Sequence, residues 1–142
     1  MLLWYMRYLA IDHGEKRTGL AVCEATETMA SPLVVVFDKN QLIGKIIKTI
    51  EEEEIEGLVI GLPLNMDGSE GARAKEVRQF GDELAGHISI SITFFDERLS
   101  SFDASGKLAG LDLTRKKKKK HLDAVAAASF LQAFLDQKHG RQ

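Results

Sequence analysis

Apolar positions along the chain switch between two periods, and the switches mark out the elements. Residues 7–12 (R-Y-L-A-I-D) and 18–23 are short apolar runs separated by Gly14-Glu15-Lys16-Arg17, which predicts two antiparallel strands joined by a hairpin turn. Residues 32–37 (P-L-V-V-V-F) are rich in β-branched side chains and predict a third strand, with its proline at the start, where a missing N–H is tolerated. Leu42, Ile43, Ile46, Ile47 and Ile50 then recur at helical spacing with lysines and glutamates opposite, so 41–54 reads as an amphipathic helix. The run 57–61 (G-L-V-I-G) reads as a strand buried on both faces. A loop over 62–69 precedes a second helix carrying Ala74, Val77, Phe80 and Leu84. A fifth strand over 88–95 runs into Asp96-Glu97-Arg98. Ser100 or Ser101 then caps a short third helix, with Asp103 completing a capping-box pattern from Ser100. The last helix covers about 119–137.

This order, β-β-β-α-β-α-β-α-α, predicts an α/β fold: a leading antiparallel meander continued by right-handed βαβ crossovers. The expected product is a five-stranded mixed sheet, order 3-2-1-4-5, with helices on both faces and one domain over 1–142.

Composition narrows the function classes. With 142 residues, 44% hydrophobic and 28% charged, the chain can bury a core without staples. A single cysteine, Cys23, excludes an internal disulfide framework and suits a reducing compartment, hence an expected cytoplasmic location. His13, His87, His121 and His139 show no ligand spacing, which argues against zinc. No stretch approaches the ~18 apolar residues of a membrane span, so no membrane partner is expected. The net charge of −2 conceals six consecutive cations, Arg115 to Lys120, without which it would be −8. Such a run is either a solvated loop or a surface for phosphates.

Three acidic positions carry the candidate chemistry. Asp12 ends the first strand, where ligands of α/β sheets collect, and Gly14 and Gly19 nearby allow close backbone approach to a phosphate or a metal-bound oxygen. Strand alternation puts His13 on the opposite face, as packing or surface. Of Asp96 and Glu97 only one can face the crevice with Asp12; the other pairs with Arg98 or caps the next helix. Asp123 heads a helix face continued by Ala126, Ala127, Phe130 and Phe134. A carboxylate there needs either a metal or an arginine such as Arg17. In the order 3-2-1-4-5, strands one and five lie about 10 Å apart. Two divalent ions with outer ligands span roughly 8 Å, so one cluster is feasible. Oxygen ligands without His or Cys favour Mg²⁺ or Mn²⁺, one ion or two. Lys116, Lys119 and Lys120 precede Asp123 at helical spacing and bring phosphate affinity beside it.

Four ordered segments now make a family resemblance specific: M-R-Y-L-A-I-D-H-G-E-K-R-T-G-L-A-V at 6–22, G-L-P-L-N-M-D-G-S at 61–69, D-E-R-L-S-S at 96–101 and D-A-V-A-A-A at 123–128. The chain resembles the YqgF family, also called RuvX, of Holliday-junction-resolvase-like proteins and pre-16S ribosomal RNA nucleases. The resemblance implies a ribonuclease-H-like fold and a metal-dependent catalytic site at Asp12, Glu97 and Asp123. It also implies a substrate surface involving Arg17, Arg98 and the 61–69 loop. Met6 matches the family's usual start, which marks 1–5 as an N-terminal extension. From the residues themselves, Ser69 reads as an N-cap, and the helix N-terminus with Asn65, Gly68 and Arg73 as a phosphate site. No fourth carboxylate lies one turn from Asp123, where Lys119, Lys120, Ala126 and Ala127 stand. The expected function is a metal-dependent nuclease maturing the 5′ end of precursor 16S rRNA. The alternatives are a junction-resolving DNA endonuclease and a non-catalytic nucleic-acid-binding protein. A monomer or weak homodimer is expected.

Overall fold

In the computed structural model, which describes residues 5–100 and 115–141 (side chains of the last helix from residue 122), one sheet organises the chain. Its strands β1 (Tyr8–His13), β2 (Thr18–Cys23), β3 (Ala30–Val36), β4 (Gly57–Leu62) and β5 (Ser91–Asp96) lie in the order β3-β2-β1-β4-β5. The first three form the antiparallel meander, and β4 and β5 add parallel to β1. Order and directions are those expected. Two boundaries differ. Pro32 is the third residue of β3 rather than its first, tolerated because β3 is an edge strand and its register with β2 shifts between Leu20 and Ala21. Strand β5 begins at Ser91, not at 88.

Strand alternation sorts the sheet's side chains into two cores. Leu9, Ile11, Leu20, Leu58, Ile60 and Leu62 point to the face covered by helices α1 (Lys39–Glu52) and α2 (Ala72–Ala85). They meet Leu42 and Ile46 of α1 and Ala74, Val77, Phe80 and Leu84 of α2. Tyr8, Ala10, Ala21, Cys23, Val59 and Phe95 point the other way, to helix α3 (Arg115–His139). The packed face of α3 is Ala124, Ala127, Ala128, Leu131 and Leu135 with Phe130, all buried. The face expected from the sequence is therefore rotated by about one residue, and Asp123 sits at its margin. Alanine has little side chain to distinguish 124 from 126, so the phase was set by the larger residues further along.

Helix α3 begins at Arg115, so the basic run belongs to it. The short helix expected after Ser100 lies outside the described residues, apart from a single 3₁₀ turn at Glu97–Leu99. At its other end α3 is tied down by a buried carboxylate. Glu27, fully buried in the β2–β3 turn, receives Lys138 Nζ at 2.6 Å and has His139 Nε2 at 3.4 Å. Arg141 donates to the Glu27 carbonyl at 2.6 Å. Among the described residues, no helix is long and apolar enough to cross a membrane.

Candidate active site

The parallel strands β1, β4 and β5 end together at one edge of the sheet, and parity decides what they present to α3. Asp12 follows Tyr8 and Ala10 on the α3 face, Gly61 follows Val59, and Glu97 follows Phe95 one step beyond β5. His13 goes the other way and stacks on Phe80 of α2, ring centroids 4.2 Å apart. It is a packing residue, as alternation required.

Two glycines leave room for this site. A Cβ on Gly61 would stand 2.5 Å from Oε1 of Glu97 and 2.6 Å from the Phe130 ring. The absent side chain is the space through which Glu97 crosses β4 toward Asp12. Gly19, directly opposite Asp12 in the β1–β2 ladder, lies under the α3 backbone; a Cβ there would overlap the carbonyl of Asp123 and approach Ala124 N to 2.6 Å. The expectation that Gly14 and Gly19 open the backbone to a phosphate is corrected accordingly. At Gly19 the space belongs to α3, and at Gly14 a Cβ would meet the Arg17 carbonyl, which accepts the Gly14 N–H at 2.9 Å.

Glu97 reaches over Gly61 of β4, the strand between β5 and β1, so its carboxyl group and that of Asp12 act on each other. Burial, then the charges of Glu97 and Asp123, push Asp12 up to about 7, with Arg73 opposing. Burial likewise raises Glu97 and Asp123, opposed by Arg73 and Arg17 respectively. Asp123 contributes charge from the third side, but its Oδ2 is ion-paired to Arg17 Nε at 2.9 Å. This buried oxygen has no aligned hydrogen-bond donor. Of the two fates left open for Asp123, the structure thus displays the arginine partner. Among the described residues, no three His, Cys, Asp or Glu side chains stand gathered as a ready ligand set.

The other acidic neighbour takes the capping role. Asp96 accepts the Arg98 backbone N–H at 2.9 Å and pairs with its guanidinium at 2.8 Å. Arg98 also reaches the carbonyls of Asn65 (3.3 Å) and Met66 (3.0 Å), pinning the β4–α2 loop beside the site. Within that loop Asn65 Nδ2 donates to the Ser69 hydroxyl, and Ser69 donates to Asp67 at 2.6 Å. The Ser69 N-cap is a correction: α2 starts at Ala72 with Gly71 as its N-cap and no side-chain capping bond. The Asp67 turn takes the Ser69 hydroxyl first. Arg73, in the first turn of α2, donates to the His13 carbonyl at 2.6 Å and pairs with Glu76, and its charge acts on both Asp12 and Glu97. For Lys116, Lys119 and Lys120 the helix is described and the side chains are not. Gly61 was missed from the sequence, where it read only as the end of an apolar run.

A three-layer sheet of this order, with acidic groups at the ends of β1 and β5 and on the last helix, defines the ribonuclease-H-like class. Solved structures bear this out for the fold. Thermus thermophilus RuvC bound to a Holliday junction superposes with a TM-score of 0.59 at 16% identity, covering 96% of this chain and 97% of that one. The yeast mitochondrial Holliday junction resolvase Ydc2 gives 0.54 at 11% identity, covering 99% and 84%. At the level of sequence, residues 6–137 match the family model RuvX, Holliday junction resolvase, and the chain belongs to that family. A relative from Anaeromyxobacter sp. (strain Fw109-5), named as a pre-16S rRNA nuclease, is 42% identical over 94% of this chain and 99% of its own length. One of the same name from Ruegeria pomeroyi is 41% identical over 89% and 83%.

Proposed function

We propose that this chain is a divalent-cation-dependent nuclease that hydrolyses phosphodiester bonds in structured nucleic acid, with the 5′ end of precursor 16S rRNA as its substrate. The observation that carries the reading is the convergence of Asp12, at the end of β1, and Glu97, whose Oε1 lies over Gly61 of the intervening strand β4. Burial and mutual charge raise both carboxyl groups, and a divalent cation between them would relieve that repulsion. The donor set fits such an ion: hard oxygens, no nitrogen or sulfur, and a buried Asp123 oxygen lacking an aligned donor. Asp12 and Glu97 would hold Mg²⁺ or Mn²⁺, with Asp123 as the third ligand. A cation there supplies water activation and charge neutralisation for an in-line displacement.

The protein's own groups do the rest. Arg73, braced by the His13 carbonyl and Glu76, directs a fixed positive charge to the rim of the carboxylate pair, where a scissile phosphate would sit. Asn65 and Ser69 offer polar groups along the loop that Arg98 holds in place. The cations of the first two turns of α3 lead toward Asp123 along the helix and would track the phosphate backbone. The relatives' names favour ribosomal RNA, and the family description keeps a branched-DNA substrate as the second reading. Incubating the purified chain with precursor 16S rRNA and, separately, a four-way DNA junction, each with Mn²⁺ or Mg²⁺, separates them. Cation-dependent trimming of the RNA, abolished in Asp12→Asn, is expected. Junction cleavage alone would transfer the function to DNA, and binding without any cleavage above the Asp12→Asn control would make the chain a non-catalytic binder.

A further inference from the structure

Three arginines surround the carboxylates, and their donors are spent very differently. Arg98 is fully committed to Asp96 and two loop carbonyls, and Arg73 is anchored to the His13 carbonyl and to Glu76. Among the described residues Arg17 pairs with Asp123 alone, through Nε. Its backbone is fixed by the hairpin turn, since its carbonyl accepts the Gly14 N–H. The backbone of Asp123 is fixed too, pressed onto Gly19. Only the two side chains are left to move. Their contact is charge without alignment, for Nε lies at 2.9 Å yet Oδ2 has no aligned donor.

We propose that Arg17 is an exchangeable counter-ion for Asp123, holding this carboxylate off the Asp12–Glu97 pair until a divalent cation takes it over and frees the guanidinium for a substrate phosphate. The proposal rests on the cation-dependent reading above. Without a cation, Asp123 turned onto the pair would add a further negative charge to a buried acidic site, and Arg17 removes that repulsion. With one, the carboxylate gains a closer, doubly charged partner by side-chain rotation alone. The guanidinium's planar fork then matches phosphate oxygens. Arg17 is thus a positioning residue that links filling of the cation site to capture of the substrate.

The sign of one measurement separates exchange from simple support. Mn²⁺ binding to the full chain, read from the paramagnetic resonance of free Mn²⁺, is compared for wild type, Arg17→Gln, Arg17→Lys and Asp12→Asn. Loss of the competing cation is expected to tighten Mn²⁺ binding by Arg17→Gln about two- to fivefold, the equivalent of the ~0.5–1 kcal/mol of a partly exposed ion pair. Arg17→Lys should stay near wild type, and nucleic-acid affinity should fall in Arg17→Gln. Equal or weaker Mn²⁺ binding by Arg17→Gln would overturn the exchange and leave the cation site standing. Undiminished Mn²⁺ binding in Asp12→Asn, or none in wild type, would overturn the site reading and the exchange with it. A second readout needs no variant: in the wild-type protein the Arg17 Nε–H nuclear resonance should shift in step with Mg²⁺ binding, and an unmoved resonance at saturation would also overturn the exchange.

Discussion

Asp12 illustrates how a site residue works against the fold that carries it. Its carboxyl is pushed up to about 7 in the folded chain against an ordinary 3.8, chiefly by burial. Between about pH 4 and 7 the folded chain therefore keeps a proton that the unfolded chain releases. This contribution to stability is complete below pH 4 and disappears as pH rises through 7. Metal-free Asp12→Asn should accordingly melt higher than wild type at pH 8, with the gap closing toward pH 4, as followed by circular dichroism at both pH values. A wild type that is the more stable at pH 8 would mean that Asp12 is not held in a desolvated, like-charged setting. Saturating Mn²⁺ should reverse the order, because only the wild type gains the binding free energy of the ion. At this scale strand alternation was enough to separate Asp12 from His13, whereas it left Asp96 and Glu97 as alternatives, and Glu97 was singled out by the family resemblance. The pairing of Asp123 with Arg17 was legible only as one of two options, since the choice depends on a side-chain rotation.

The elements owe their relative placement to two features that carry no hydropathy signal. Gly19 lets α3 lie on β2, and Gly19→Ala would lift the helix from the sheet at Asp123. It should cost about 1–3 kcal/mol, as over-packing does, and should lower activity further than that stability loss explains, as a thermal melt beside a cleavage assay would show. At the far end of α3, the Glu27 carboxylate joins the β2–β3 turn to Lys138 and His139. Removing its charge in Glu27→Gln should cost about 2 kcal/mol, the scale of a buried charge-assisted hydrogen bond, while leaving the cleavage chemistry at the opposite end of the helix unchanged. Chemical denaturation measures the first and a single-turnover assay the second. The strands, the first two helices and the face of each strand followed from periodicity, since burial repeats every second residue in a strand and about every 3.6 in a helix. The register of α3 and the start of α2 did not. The first was blurred by a run of alanines, and the second by a serine whose hydroxyl serves an Asp67 turn instead of a helix.

Over the whole molecule, charge is segregated. A chain of net charge −2 places six cations in the first two turns of the helix that leads to Asp123, while Asp12 and Glu97 stand at the strand ends. Association with nucleic acid should therefore be steeply salt-dependent. Replacing Lys116 to Lys120 by serine should weaken binding and reduce the slope of log K against log salt by roughly one per lost phosphate contact. An unchanged slope would return the run to a solvated surface. On the proposed reading substrate affinity belongs to the helix and bond cleavage to the carboxylates, so the two should be lost separately. The carboxylate assignment is central, and anomalous diffraction from crystals soaked in Mn²⁺ tests it most directly. The expected result is a peak bonded to oxygens of both Asp12 and Glu97, with the Asp123 carboxylate turned toward it; crystals that show no peak at this pair under saturating Mn²⁺ would contradict the account.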